Sequence, residues 1–267
     1  MTLGFLDPVA FHLFSKPVYW YGIIIATTVF FAYLLADREA TKRGLKQDTM
    51  LDLLLIALPI AFIFARAYYV IFRWEYYAGD FSSMIAIWDG GIAIYGGLIG
   101  GFLVLYFFAR RRGVKIIKLL DIVAPSLLVG QMLGRWGNFF NHEAYGEAVS
   151  QQYLQDRFIP NFIIENMYID GAYRQPTFLY ESLWCFIALV ILLLIRNKLA
   201  QSEVFAAYLI LYGVERFIVE GMRTDSLYIG SLRVSQVLSL VFVVGSLVYL
   251  IVLNTKFKDK KILYRES

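Results

Sequence analysis

Cysteine is almost absent from this chain, and histidine nearly so. Cys185 is the single thiol among 267 residues, and the two histidines are His12 and His142. One cysteine excludes an internal disulfide, and no convincing set of metal ligands can be assembled. Cys185 sits in the apolar run 178–195, so it reads as a small, inert, buried residue. Charge is scarce as well: Asp, Glu, Lys and Arg make up 17% of the residues, against about a quarter in soluble domains. With 59% of the residues hydrophobic, the composition points to one membrane-embedded bundle over residues 1–267. Low-complexity segments and obvious repeats are missing. Without two matched, broken halves, an inverted-repeat transporter is disfavoured. No basic and aromatic stripe suited to nucleic acid is present, so the net charge of +4 is assigned to loops facing an anionic bilayer.

What is abundant is apolar sequence in long runs. Seven reach or approach the roughly 20 residues that a bilayer core requires: 18–36, 49–72, 92–109, 119–133, 177–195, 203–219 and 234–253. The fourth is the weakest, interrupted by Pro125. The first is preceded by Asp7, His12 and Lys16 rather than a basic segment, so it is expected to stay as a span and not to be removed as a signal peptide. The fold class expected is an all-α membrane protein with seven transmembrane helices and a small extracytoplasmic head. Basic residues set the orientation. Arg38, Lys42, Arg43 and Lys46 follow the first run; Arg110, Arg111, Arg112, Lys115 and Lys118 follow the third; Arg196 and Lys198 follow the fifth. Lys256, Lys258, Lys260, Lys261 and Arg265 follow the last. The N terminus is therefore expected outside and the C terminus in the cytoplasm. The long segment 135–176 would form the outer head, with Phe158, Ile159, Phe162, Ile163 and Ile164 touching the membrane interface.

Against this apolar background four polar clusters stand out. Gly134-Arg135-Trp136-Gly137-Asn138-Phe139-Phe140-Asn141-His142-Glu143-Ala144-Tyr145-Gly146 puts a cation, two carboxamides and a carboxylate at the end of an apolar run. Each is costly near hydrocarbon, so a site is the natural reading. Tyr212 through Arg223 places Arg216 and Glu220 four residues apart on one helix face, with Tyr212 a turn earlier. Gln175-Pro176-Thr177-Phe178-Leu179-Tyr180-Glu181 carries an acid near the start of the fifth run. The fourth, Asp89-Gly90-Gly91-Ile92-Ala93-Ile94-Tyr95-Gly96-Gly97-Leu98-Ile99-Gly100-Gly101, fits close helix packing as well as it fits a site. Arg66 reads as structural, reaching an interface or pairing with Asp52. Tyr19 and Trp20 suit an interfacial aromatic belt. Two guanidiniums, Arg135 and Arg216, repel in one cavity unless an anion lies between them. The planar fork of arginine suits phosphate, and a phospholipid headgroup is the anion at hand. The residues alone thus indicate a membrane protein that handles a phosphate-bearing amphiphile.

The stretch Gly134–Gly146, the run Trp20-Tyr21-Gly22, Gly96-Gly97-Leu98-Ile99-Gly100, Pro176-Thr177 with Leu179-Tyr180-Glu181, and Tyr212 to Arg223 occur in the order seen in bacterial prolipoprotein diacylglyceryl transferases, which the chain resembles over essentially its whole length. The resemblance implies a cytoplasmic-membrane enzyme that uses phosphatidylglycerol as donor and the lipobox cysteine of a prolipoprotein as acceptor, with no cofactor. It implies catalytic roles for Arg135, Arg216, Glu143 and Tyr95, and substrate contacts from Tyr21, Asn138, Asn141, Gly146, Tyr212, Glu220 and Arg223. Many family members carry histidine where this chain has Tyr95 and Gln175, so an obligatory histidine base at those points does not transfer. His142 is more readily a packing residue than a substitute base. Of the alternatives, a lipid transporter would bind through the same arginines without chemistry. An intramembrane protease lacks its nucleophile and base here, and an isoprenoid transferase lacks its aspartate-rich motifs.

Overall fold

The protein, a computed structural model, is described here for residues 6–87, 90–224, 226–257 and 261–266. Asp89, Lys258 and Lys260, which figure in the sequence reading, lie outside the described residues. In chain order, β1 (Val9–Leu13) and β2 (Lys16–Tyr19) form an antiparallel hairpin that runs directly into α1 (Trp20–Lys42). Its turn residues Phe14 and Ser15 both take positive φ, as a two-residue hairpin turn of the primed kind requires. Next come α2 (Thr49–Phe72), the short α3 (Trp74–Tyr77) and α4 (Phe81–Ile85), then α5 (Ile94–Arg112) and α6 (Ile116–Phe140). A small αβ segment follows, with β3 (Ala148–Val149), α7 (Gln151–Gln155), α8 (Asn161–Asn166), β4 (Tyr168–Ile169) and β5 (Ala172–Arg174). The chain continues with α9 (Thr177–Ile195), α10 (Glu203–Glu220), the hairpin β6 (Tyr228–Ile229) and β7 (Leu232–Arg233), and α11 (Val234–Lys256).

Two compact units divide these elements: residues 1–35 with 123–267, and residues 36–122. In the second unit, α5 lies directly on α2 because Gly96 and Gly100 have no side chains. A Cβ on Gly96 would fall 2.3 Å from the Phe64 carbonyl oxygen, and one on Gly100 would fall 2.8 Å from the Phe64 Cβ. This is the small-residue spacing that lets membrane helices approach closely. Gly113, at φ 65°, ends α5 and returns its N–H to the Ala109 carbonyl, a left-handed cap that only glycine adopts freely.

Arg66, 5% exposed, closes the same unit. It donates to the carbonyls of Ser83 (2.6 Å), Met84 (3.0 Å), Gly90 (2.5 Å) and Gly91 (2.7 Å). The structural reading of Arg66 holds, but its partner is not Asp52, which pairs instead with Arg112. Main-chain oxygens of the one-turn α4 and of the irregular segment after it are better acceptors for a five-donor guanidinium than one exposed carboxylate.

Among the described residues of the first unit, two apolar cores stand out. Ala124, Leu128, Cys185, Leu189, Leu192, Val204 and Tyr208 pack where α6, α9 and α10 meet, which makes Cys185 the buried residue expected. Gln131 donates to the Tyr208 hydroxyl across α6 and α10, and Trp184 to the Leu211 carbonyl across α9 and α10. Phe139, Leu154, Ile159, Ile163, Ile164, Met167 and Phe178 form the second core under the αβ segment. There the antiparallel order is β3-β5-β4, and the β4–β5 turn is Asp170-Gly171, both at positive φ. Ile159, Ile163 and Ile164, expected to touch the membrane interface, point into this core instead; Phe158 is 93% exposed.

Among the described residues, six helices are long and apolar enough to cross a membrane: α1, α2, α5, α6, α9 with its following turn, and α11. Large apolar side chains such as Leu55, Ile71, Phe107, Leu194 and Ile251 lie exposed on them, as lipid-facing surfaces require. The seventh expected span forms as α10, but it carries Glu203, Glu215, Arg216 and Glu220. Its three acids are all buried. A second departure concerns α6, which is helical through Pro125 and on to Phe140. The Gly134–Phe140 half of the motif is thus the last two turns of a helix rather than the start of a loop. Gly134 and Gly137 cost helix propensity but do not break it.

Candidate functional site

Helical geometry at the end of α6 turns Arg135 and Asn138, three apart, onto one face. Arg135 donates to Asn138 Oδ1 at 3.5 Å, and Asn138 Nδ2 donates to Glu143 Oε1 at 3.0 Å. Glu143 comes within reach because the chain reverses sharply after the helix, with His142 and Ala144 at positive φ and the Glu143 N–H on the Asn138 carbonyl. Gly137 makes room for Tyr21: a Cβ there would fall 2.7 Å from the ring. Trp136, on the opposite side, donates to Ser182 Oγ at 3.1 Å and packs edge-on against Phe178, which fixes α6 to α9.

That fixing brings Arg135 to Glu181, one turn into α9. Arg135 Nη2 lies 2.6 Å from Glu181 Oε2, and Arg216 Nη1 lies 3.5 Å from the same oxygen. Arg223 approaches Oε1 at 3.9 Å, while Arg216 Nη2 binds its helix neighbour Glu220 at 2.5 Å. Glu181 and Glu220 are buried, with the arginine side chains between 11% and 21% exposed. The anion expected between Arg135 and Arg216 is therefore, in the first instance, a carboxylate of the chain itself. Removing one member of such a group leaves an uncompensated buried charge, so the members hold each other in place.

Backbone crossings support the arrangement. Gly146 sits where three segments meet: its N–H bonds the Gln175 carbonyl at 2.9 Å, and it forms an isolated antiparallel bridge with Arg223. A Cβ on Gly146 would stand 2.8 Å from Gln175 Cβ and 3.1 Å from the Met222 oxygen. The residue acts here as a close-approach position for the backbone that carries Arg223. Arg233 donates to the Glu220 main-chain carbonyl at the end of α10. Tyr212 stacks on Tyr208 with ring centroids 6.0 Å apart.

Beside these groups opens a cavity of about 580 Å³ lined by Pro8, Val18, Tyr19, Tyr21, Gly22, Asn141 and Glu143. It gathers Tyr21, Asn141 and Glu143 at one wall. Of the residues expected from sequence, Arg135, Asn138 and Glu143 form one connected chain, Arg216, Glu220 and Arg223 join it through Glu181, and Tyr21 and Asn141 line the cavity. Tyr95 is half-buried in the first turn of α5, in the unit of residues 36–122. Glu181, an acid near the start of the fifth apolar run, is the member of this group that the expected site residues do not include. Its position inside an apolar run, where a lone carboxylate is costly, was the signal.

His142 proves to belong with the αβ segment. It bonds Asn166, whose own amide is held by the Leu6 N–H and the Phe162 carbonyl. Burial pushes the imidazole below its ordinary value, and the Asn166 contact opposes that shift. A packing role accounts for it.

Comparison with known proteins agrees with this geometry. The family profile described as prolipoprotein diacylglyceryl transferase matches residues 8–252. Proteins from Bacillus cereus (strain Q1) and Bacillus anthracis, both named phosphatidylglycerol–prolipoprotein diacylglyceryl transferase, are each 55% identical to the chain over 248 residues, which cover 92% of this chain and 92% of theirs.

Proposed function

The chain belongs to the prolipoprotein diacylglyceryl transferase family, and from that premise we propose how the group around Glu181 performs the reaction. The enzyme transfers the diacylglyceryl group of phosphatidylglycerol to prolipoproteins, the first step of lipoprotein maturation. The acceptor is the lipobox cysteine. Its sulfur attacks the glyceryl carbon that bears the phosphate, a carbon–sulfur bond forms, and the carbon–oxygen bond breaks. Glycerol phosphate leaves with the bonding electrons, and the thiol proton passes to a base. No cysteine of the enzyme is needed, because the nucleophile arrives with the substrate; this fits the buried Cys185.

One observation carries the assignment of residues: Arg135, Arg216 and Arg223 converge on the single carboxylate of Glu181. Glu181 holds the guanidiniums in position before substrate arrives, so little reorganisation is required as negative charge grows on the departing phosphate. Arg135 and Arg216 take the role of stabilising that charge. Asn138 and Asn141 orient donor oxygens, with Tyr21 and Gly146 shaping the pocket and Tyr212, Glu220 and Arg223 completing it. A free cysteine ionises at a pKa of about 8.5, so thiolate near neutral pH needs either a base or a positive field. The arginine group supplies the field. Glu143, held by Asn138 at the cavity wall, is the candidate base. Tyr95 is assigned a hydrogen bond to substrate.

The enzyme works in the bacterial cytoplasmic membrane. With α10 taken as a seventh span whose charges are shielded by protein, the excess of Lys and Arg at alternate helix ends supports an N terminus outside and a C terminus in the cytoplasm. The segment from Asn141 to Pro176 then stands on the outer face, where prolipoproteins emerge.

The test is a reconstituted assay with phosphatidylglycerol and a lipobox peptide, following thioether formation and glycerol phosphate release together. Both products are expected, and both disappear when the peptide cysteine is replaced by serine. Lipid binding or flipping by folded protein without either product would overturn the reading in favour of a transporter.

A further inference from the structure

Thr177 opens α9 and is fully buried. A threonine at a helix start ordinarily turns its hydroxyl to an unpaired N–H of its own first turn. Thr177 Oγ1 donates instead to the main-chain carbonyl of Ala144 at 2.6 Å, 33 residues earlier in the chain. Its methyl group lies against Gly146, where an added Cβ would stand 3.2 Å from it. The reaction described above gives Thr177 no part.

The segment that Thr177 grips carries the candidate base. Glu143 stands between His142 (φ 52°) and Ala144 (φ 57°), two residues with side chains in the left-handed region. Such residues stay there only where their surroundings fix them. On the near side, the Glu143 N–H bonds the Asn138 carbonyl at 3.0 Å. On the far side, the Thr177 hydroxyl holds the Ala144 carbonyl and so sets the orientation of the peptide unit that follows Ala144. The Gly146 N–H on the Gln175 carbonyl and the Gln175 N–H on the Glu147 carbonyl, at 2.9 and 3.1 Å, continue the same seam. The other end of this anchor is rigid as well. Glu181 lies four residues after Thr177, on the same face of α9. One helical turn therefore separates the support of Glu143 from the carboxylate that gathers Arg135 and Arg216.

We propose that Thr177 is a positioning residue that holds Glu143 at a fixed separation from the arginine group, through its hydrogen bond to the Ala144 carbonyl. Sulfur attacks one side of the glyceryl carbon and the phosphate leaves from the other. The group that takes the thiol proton and the cations that receive the leaving charge thus have to be placed relative to each other. A displacement of about 1 Å in either is enough to cost on the order of a hundredfold in rate. The proposal rests on the reading of Glu143 as the base. It puts the effect in turnover: the contacts of Arg135 and Arg216 do not pass through the Thr177 hydroxyl, so its loss lowers kcat and leaves KM for phosphatidylglycerol alone.

A double-mutant cycle on the reconstituted full-length enzyme, with phosphatidylglycerol and a lipobox peptide, tests this. Thr177→Val keeps the shape and removes the donor, whereas Thr177→Ser keeps the donor and removes the methyl group. Thr177→Val is expected to lower kcat on the order of tenfold to a hundredfold, with KM for phosphatidylglycerol within about twofold of wild type. Thr177→Ser is expected to stay within about threefold in kcat. Where Thr177→Val does not fold, Thr177→Ala takes its place as the variant without a donor. In a Glu143→Gln background, adding Thr177→Val is expected to cost less than about twofold further, because the group that it positions has already lost its function. A Thr177→Val enzyme with the wild-type kcat, or a Thr177→Ser enzyme as slow as Thr177→Val, overturns the proposal. So does a change confined to KM, which would move Thr177 to donor binding. Losses that multiply in the double variant overturn the proposal alone and leave Glu143 as the base. A Glu143→Gln enzyme at the wild-type rate overturns the base reading itself, and the proposal with it.

Discussion

Two buried arginine centres in this molecule follow opposite rules. Arg66, in the unit of residues 36–122, donates to four main-chain carbonyls, and among the described residues it has no carboxylate partner. Arg135, Arg216 and Arg223, in the other unit, crowd onto one carboxylate and leave a carboxyl beside them without a hydrogen bond. The first centre commits four of its five N–H donors to main-chain oxygens of its own unit. The second is held by one shared carboxylate, with Arg216 Nη1 and the Glu215 carboxyl left without hydrogen bonds. Burial of a cation therefore does not distinguish a staple from a site, but the bookkeeping of its donors does.

The sharpest way to break this comparison is Arg66→Met. It leaves four carbonyl acceptors unpaired, at about 1–3 kcal/mol each where water cannot reach them. A large fall in folded yield and in the detergent unfolding midpoint is expected, with turnover per folded molecule preserved; a variant as stable as wild type would remove the staple. Arg135→Lys should show the reverse signature. It keeps the charge on Glu181 but loses the planar fork, so turnover is expected to drop on the order of a hundredfold to a thousandfold with little change in folded yield. Unchanged turnover in the reconstituted assay would take Arg135 out of the reaction.

Tyr95→Phe asks whether the unit that contains the staple also contributes to the chemistry. A smaller fall, on the order of tenfold in kcat/KM for loss of one hydroxyl contact, is expected, and a wild-type rate would return Tyr95 to packing. The smallest effect concerns Asp80, which caps α4. The Ser83 hydroxyl and main-chain N–H hold its carboxyl below the usual carboxylate value. Because the folded-state value is depressed, the contribution is present above the unfolded value and is lost as pH falls through the folded one. Asp80→Asn should therefore lower the unfolding midpoint slightly at neutral pH and converge with wild type as pH falls through the folded value, which flattens the acid limb of a thermal-unfolding profile; a difference that persists unchanged at low pH would show that the carboxylate charge is not its source.

Much of this was legible in the sequence, for reasons that particular residues make plain. The span starts at Thr49, Thr177, Glu203 and Val234 coincide with helix starts, since apolar runs and their polar borders are local properties. Arg135, Asn138, Glu143, Arg216 and Glu220 were recognisable because polar groups in apolar surroundings are expensive and call for an explanation. The extension of α6 to Phe140 was hidden by the density of polar residues and glycines, which imitates a loop. Glu181 and Glu215 were missed as partners for another reason. Which carboxylate meets which guanidinium depends on packing between α6, α9 and α10, and spacing along one helix carries no trace of it. Arg66 shows the same limit: its acceptors are main-chain oxygens, invisible in any side-chain pattern.

The bridge between Gly146 and Arg223 has a consequence for how the protein is made. It closes a loop of 77 residues, from 146 to 223, and Arg135 and Glu181 close another of 46. Non-local closures of this kind come late, because chain entropy must be surrendered before any contact rewards it. Until then the emerging helices carry isolated charges that hydrocarbon does not accept. Commitment of α6, α9 and α10 to the bilayer is thus tied to their mutual recognition, and the ion cluster serves during biogenesis as a latch that only a completed bundle can shut.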